Sequence, residues 1–293
     1  MHAAPFEYHD PTSLDEVRRL LDRRGPRPAL LAGGQSLLPA LVARSSEPAA
    51  LVDLGRIAPL RAIETTADGE LEIGAMARYV DLQRSPLVRS AAPLLAAAAG
   101  LVGMRAVRTR GTIGGCLAFA DPRAELPLAL TVLGADVTVS TAEGEWRGPL
   151  DDWRPVARRR EGDLLLRIHV PPAGPRDASA IRETAPLGRG FATAVVAVRL
   201  TGDEHGAIVG ATVAAGAVAP TPIELPQVAA ALRGRPLADP LGSEAAAVLE
   251  AELSALDPPS DLHAGGEHRR HVTTVLARRA IAAAARELRP EGT

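Results

Sequence analysis

Residues 30–38 read LLAGGQSLL, a glycine pair with Gln35 and Ser36 set between an apolar run and a helix-like stretch. Three kinds of chemistry use such residues. A nucleophile elbow needs G-x-S-x-G, because both glycines make room for a strained serine turn. Gly34-Gln35-Ser36 begins well, but Leu38 stands where the second glycine belongs, and no histidine is near in sequence. A phosphate cradle needs convergent backbone N–H groups, small residues for close approach and a helix N-terminus behind them. Ala32 to Ser36 offers all three. A plain strand-to-helix turn is the remaining reading, and one loop alone does not choose between the last two. A second glycine pair, Gly114-Gly115, follows Thr112 in RGTIGGCLAFADPRAELP, residues 110–127. Two small-residue loops from distant parts of a chain can converge on one pyrophosphate. Neither contains the G-x-G-x-x-G of the dinucleotide fingerprint.

The composition narrows the chemistry further. All 33 basic residues are arginine, which excludes a P-loop lysine, a Schiff-base lysine and any other catalytic lysine. The single cysteine, Cys116, allows neither an internal disulfide nor an iron–sulfur cluster of the chain's own. Aromatics make up 2%, so a bound ring system is expected to rest mainly on aliphatic walls and backbone. The formal net charge of -2, without a long basic run, speaks against nucleic acid or an anionic membrane surface as partner. The N-terminus lacks a signal-peptide layout, and no apolar stretch reaches the roughly 18 residues of a spanning helix. A cytoplasmic protein without a membrane span is expected.

These loops need elements to position them. At 293 residues and 46% hydrophobic, the chain is long enough for about two domains. Ser13 and Glu16 form a capping box, with Leu14, Val17, Leu20 and Leu21 on one helical face; Gly25 and the prolines Pro26 and Pro28 end that element. Ala29–Ala32 and Leu51–Leu54 are strand-like, and Leu37–Val42 is helical. Strands are expected at 70–75, 135–140 and 164–170, helices at 91–101 and 126–133, and a loop over 110–116. The proline- and glycine-rich stretch 171–177 makes the best domain boundary. Beyond it, 192–200 and 208–218 are β-like. A capping box at Thr221 and Glu224, with Pro222 at the first helical position, announces a helix, and two alanine-rich helices near 244–256 and 267–288 close the chain.

Together, AGGQSLLPAL and RGTIGGCLAFADPRAELP resemble the FAD-binding subunit of the molybdenum hydroxylases, the medium subunit of carbon monoxide dehydrogenase and the flavin domain of xanthine dehydrogenase. LLLRIHVP, AAGAVAPTPIEL and HRRHVTTVLARRAI extend the resemblance over essentially the whole chain. It implies an α+β fold: a two-lobed FAD-binding PCMH-type domain at 1–174, with lobes of about 1–56 and 57–174, then a smaller C-terminal α+β domain at 175–293 in which helices cover an antiparallel sheet. It implies FAD as cofactor. Ala32, Gly33, Gly34, Gln35, Ser36 and Leu37 match the loop that wraps the pyrophosphate, and Thr112, Ile113, Gly114, Gly115 and Cys116 match the one that completes the cradle. Glu125 matches an acidic residue that accepts from the ribose or adenine, although a carboxylate there also suits a helix N-terminus. Leu165 matches a leucine packed on the cofactor. Arg182 stands where the family often has a lysine near the flavin, and Phe191 matches a residue beside the isoalloxazine or is a core phenylalanine at a strand start. The family often has asparagine or serine at Cys116 and histidine at Phe119, and the segment ETAPLGRGFAT lacks its usual arginine pair and aspartate.

The resemblance implies an oxidoreductase subunit with no catalytic acid, base or metal ligand of its own. Molybdenum-pterin would sit on a large subunit and 2Fe–2S clusters on a small one, in a dimer of heterotrimers. The external acceptor (NAD, quinone, oxygen or protein) and the substrate stay open. A stand-alone flavin reductase of the same superfamily and a flavin-free scaffold are the alternatives. His268 and His271, in H-R-R-H, lack an accompanying carboxylate motif and are expected on a solvated or interface face. Arg158-Arg159-Arg160 is expected at an exposed turn. For Arg105, Arg108 and Arg110 a phosphate or partner role stays open.

Overall fold

The computed structural model describes residues 2–23, 25, 28–153, 162–186 and 190–289. Arg158-Arg159-Arg160 and Pro26 lie outside the described residues. The chain opens with β1 (Glu7–His9), α1 (Leu14–Leu21), β2 (Ala29–Leu31), α2 (Leu37–Val42) and β3 (Ala50–Asp53), and its strands form a parallel sheet in the order β1-β3-β2. Ser13 caps α1 by accepting from the Glu16 N–H, and the Glu16 carboxylate accepts from the backbone N–H groups of Thr12 and Ser13. Val17 and Leu21 on the inner face of α1 pack with Val52, Leu54 and Ile57. β1 escaped the sequence reading because three residues carry too little alternation to register as a strand.

Next come β4 (Ile63–Thr65), β5 (Leu71–Gly74), α3 (Tyr79–Arg84), α4 (Pro86–Ala91), α5 (Pro93–Leu101), α6 (Arg105–Arg108), α7 (Ile113–Phe119), α8 (Glu125–Leu133), β6 (Asp136–Thr141), β7 (Gly144–Pro149), α9 (Leu150–Trp153) and β8 (Leu164–Val170). The strands form an antiparallel sheet in the order β4-β5-β8-β6-β7. The helix expected over 91–101 is broken at Ala92, because the proline that follows restricts the residue before it. Every residue of α8 is buried, which makes it the central helix of the larger core. On this sheet His169 is buried, with its ring nitrogens against Thr138 at 2.7 Å and Glu70 at 3.1 Å; Arg147 pairs with the same glutamate.

The last part comprises β9 (Asp177–Thr184), β10 (Ala194–Gly202), β11 (Ile208–Gly216), β12 (Ile223–Glu224), α10 (Pro226–Leu232), α11 (Ser243–Ser254) and α12 (Gly266–Glu287). The antiparallel sheet has the order β12-β11-β10-β9. Period-2 alternation divides its faces: Ala180, Val196 and Val198 join the core with α10, α11 and α12, while Ile181, Val195 and Ala197 join the core around α8. The two parts therefore share an apolar seam. The expected capping box at Thr221 and Glu224 does not form. Glu224 pairs with Ala214 as an edge strand, the Leu225 N–H donates to Val213 O, and the helix starts four residues later than expected, at Pro226. Sheet pairing wins over a local cap signal. Among the described residues no helix is long and apolar enough to cross a membrane.

Candidate functional site, a cavity between two glycine turns

The two glycine turns meet. A methyl group at Gly33 would lie 2.3 Å from the Arg110 carbonyl oxygen and 2.8 Å from the Gly111 Cα, so only glycine fits. Gly115 lies against the other side of this contact, where an added methyl would reach the Ala32 Cβ at 3.3 Å. Gly34 adopts φ +73, a left-handed turn that delivers the chain into α2.

The amides of the two turns are in different states. Among the described residues, the N–H groups of Gly33, Gly34, Gln35, Ser36 and Leu37 have no protein acceptor, and Ser36 makes no capping bond. In the second turn four amides in a row, those of Ile113 to Cys116, are taken, and among the described residues only the Thr112 N–H has no protein acceptor. Of the region expected as a loop over 110–116, residues 110–112 are non-helical as expected, but Ile113 to Cys116 start α7, capped by Thr112, whose hydroxyl accepts from the Gly115 N–H at 3.2 Å. The Ile113 N–H donates to Ala77 O, Gly114 to Ala75 O and Cys116 to Thr112 O. An added methyl on Gly114 would lie 2.6 Å from the Ala75 Cβ, so this glycine permits packing rather than exposing an amide.

The turns line a cavity of about 750 Å³, within the range of roughly 300–1,000 Å³ usual for small-molecule and cofactor sites. Of the fifteen residues expected at the site, Ala32 to Leu37, Thr112, Gly114 to Cys116, Glu125, Leu165 and Phe191 all line it. Two do not. Ile113 is fully buried in the core, with its amide bound to Ala77. Arg182 is exposed on the face of β9 opposite to Ile181 and donates to a backbone carbonyl. Phe191 is not a core residue at a strand start: it is half-exposed, β10 begins at Ala194, and the Arg123 guanidinium stacks 4.1 Å from its ring centroid.

Sequence reasoning missed several residues of this cavity. Of the three Phe, two Trp and two Tyr, four line it: Tyr79, Phe119, Trp153 and Phe191. The walls are still mainly aliphatic side chains and glycine backbone, as expected, but the scarce aromatics are concentrated here. The Tyr79 hydroxyl donates to the Cys116 sulfur, and burial pushes the thiol up to about 12. Asp121 grips Arg123 with both carboxylate oxygens, at 2.9 and 2.7 Å. The Asp-Pro-Arg spacing was the available signal for this clamp. Glu183, on β9, does not line the cavity but hydrogen-bonds Glu125, which does; burial raises both carboxyls above their usual range. No motif announced it.

The arginines set aside earlier also find places. Arg108 donates to the carbonyls of Val102 and Gly103 and so staples its own turn. Arg269, in H-R-R-H, is not solvated: it is 1% exposed and donates to Thr193 O at 2.7 Å and to Asp261 at 2.6 Å, while His268 and His271 are exposed.

Residues 4–173 match the family model described as the FAD binding domain in molybdopterin dehydrogenase, and residues 183–284 match the CO dehydrogenase flavoprotein C-terminal domain. The chain is 31% identical to the 6-hydroxypseudooxynicotine dehydrogenase complex subunit alpha of Paenarthrobacter nicotinovorans, over 99% of this chain and 98% of that protein. Among solved structures it is similar to quinoline 2-oxidoreductase from Pseudomonas putida 86, with a TM-score of 0.91 and 31% identity, covering 98% of this chain and 99% of that one. Carbon monoxide dehydrogenase from Hydrogenophaga pseudoflava matches with a TM-score of 0.90 and 32% identity, covering 97% and 98%.

Proposed function

Since the chain belongs to the FAD-binding subunits of the molybdopterin dehydrogenase family, we propose that it takes electrons from the 2Fe–2S clusters of a small partner subunit and passes them, at its FAD, to an external acceptor. A large partner would hold molybdenum-pterin and oxidise the substrate, in a dimer of heterotrimers in the cytoplasm. Names such as carbon monoxide dehydrogenase medium chain, carried by relatives, support a division of labour of this kind. Residues 1–174 would form the FAD-binding domain, as two lobes, and 175–293 the C-terminal domain.

The observation that carries the cofactor reading is the run of five acceptor-free amides from Gly33 to Leu37 at the cavity wall. Convergent free N–H groups on a small-residue turn fit a diphosphate, and the described part of the cavity holds no lysine that would otherwise be needed. When bound, FAD supplies the redox chemistry between clusters and acceptor, and the protein supplies position and electrostatics. The amides of Gly33 to Leu37, with the Ser36 hydroxyl, would hold the diphosphate. Thr112 and Gly115 would brace that turn from behind. Glu125 would meet the ribose or adenine, and Leu165 and Phe191 would pack against the rings. Arg182, on the opposite face of β9, would play no part.

The test is to purify the chain alone and with its natural partners, record visible spectra and assay molybdenum and iron. A flavin band in a complex carrying both metals, bleached anaerobically by the substrate of the large subunit, supports the proposal. A yellow chain that never associates with either metal would instead be a stand-alone flavin reductase. A colourless folded chain would be a scaffold.

A further inference from the structure

The carboxyl groups of Glu125 and Glu183 are in hydrogen-bonded contact, although they come from different parts of the chain. Glu125 opens α8 and is 6% exposed. Glu183 sits on β9 opposite Val195, on the strand face that carries Ile181 and looks toward the core around α8. Glu183 Oε2 is buried and meets no N–H or hydroxyl donor. Two ionised carboxylates have no hydrogen to donate and repel each other, so a carboxyl–carboxyl hydrogen bond requires one proton between them.

Among the described residues, the surroundings do not offer that proton's charge a substitute. Asp121, from the turn after α7, adds negative charge on the Glu125 side, but both its oxygens are taken by Arg123. Cys116 of α7 accepts from Tyr79 of α3, and both are neutral. The segment of α5 packed against β9 is apolar throughout. On the far face of the sheet, Arg269 of α12 is bound to Thr193 O and Asp261.

We propose that Glu183 is a positioning residue of the cofactor site: from behind the cavity wall it shares a single proton with Glu125, so that Glu125 meets the ribose or adenine end of FAD as one half of a carboxyl pair of total charge -1. This deepens the FAD reading and rests on it. Loss of the proton doubles the charge on the wall of a cavity that must also accept an anionic diphosphate, and it drives the two side chains apart. FAD affinity then falls as pH rises through the titration of the pair, with a limiting slope of about tenfold per pH unit for one linked proton. The stability of the flavin-free chain changes in the same sense. A carboxyl held above its unfolded value contributes stability that is present at low pH and is lost as pH rises through the folded value.

The experiment measures FAD dissociation constants against pH by flavin fluorescence, on the full chain freed of bound flavin, for wild type and Glu183→Gln. The glutamine amide donates to Glu125 permanently, so the variant is expected to bind FAD with a flat profile where wild type weakens. Parallel slopes in the two proteins overturn the proposal. Infrared spectra of the flavin-free chain read the proton without FAD: wild type should show a protonated-carboxyl C=O band near neutral pH, lost on raising pH. The band should be absent from Glu183→Gln and from Glu125→Gln. A wild-type chain without that band overturns the shared proton even if neither variant folds. A band present in a chain that binds no FAD supports the shared proton but refutes the cofactor reading it was meant to serve.

Discussion

The two glycine turns look alike as text, each a Gly-Gly pair beside a hydroxyl residue, yet they do opposite things with their backbone. In the turn at residues 33–37, which lines the cavity, the amides have no acceptors among the described residues. In the turn at 112–116 the amides of Ile113 to Cys116 are bound to Ala75, Ala77 and Thr112. On the proposed reading the first would be the surface offered to a ligand and the second the support that holds it, with Gly33 seated on the Arg110 carbonyl. A glycine pair therefore carries two meanings, room for a ligand or room for a neighbouring strand, and the hydrogen-bond partners decide between them.

Substitutions sharpen this contrast, beginning with the seam itself. Gly33→Ala drives a methyl into backbone that no side-chain rotation can clear. We expect at least about 1–3 kcal/mol of lost stability from overpacking, together with loss of nearly all FAD from the purified protein, read by flavin absorbance and thermal melting. Wild-type flavin content in that variant would remove the seam from the account. Gly114→Ala meets Ala75 instead and should cost about 1–3 kcal/mol of stability; flavin affinity in the fraction that stays folded should change much less. If its loss of FAD matches that of Gly33→Ala, the division into surface and support is wrong.

Smaller changes separate the hydroxyls. Thr112→Val removes the cap of α7 and should lower stability by about 1 kcal/mol. Ser36→Ala breaks no capping bond, so its melting temperature should hold while FAD binds about fivefold more weakly, the equivalent of about 1 kcal/mol for one hydrogen bond. The reverse pattern, with Ser36 governing melting and Thr112 governing binding, would exchange the roles of the turns. The smallest effect belongs to Arg182→Ala. It should leave FAD affinity and the flavin spectrum unchanged, since the side chain is exposed on the far face of its strand. A severalfold loss there would restore the cationic role suggested by the sequence.

The first turn was legible because its signal is local: a strand, two glycines, a serine and a helix follow one another within a dozen residues. The aggregate of the two motifs was also enough to anticipate the α+β architecture and FAD. What could not be read was set by partners distant in sequence. Ala75 and Ala77 convert the second turn from loop to capped helix. The register of β9 against β10 puts Glu183 on the strand face of Ile181, toward the core around α8, and Arg182 on the opposite face. Pairing of Glu224 with Ala214 overrides the cap expected at Thr221. Arg269 looks like a surface charge on a basic helix until Thr193 and Asp261 come into contact with it.

The cavity draws its walls from residues as far apart as Ala29 and Phe191. None of the three sheets encloses it alone, and the turn at Gly33 finds its footing only on a segment made nearly eighty residues later. During synthesis, then, the early turn must wait, its amides in water, until the later helix has formed.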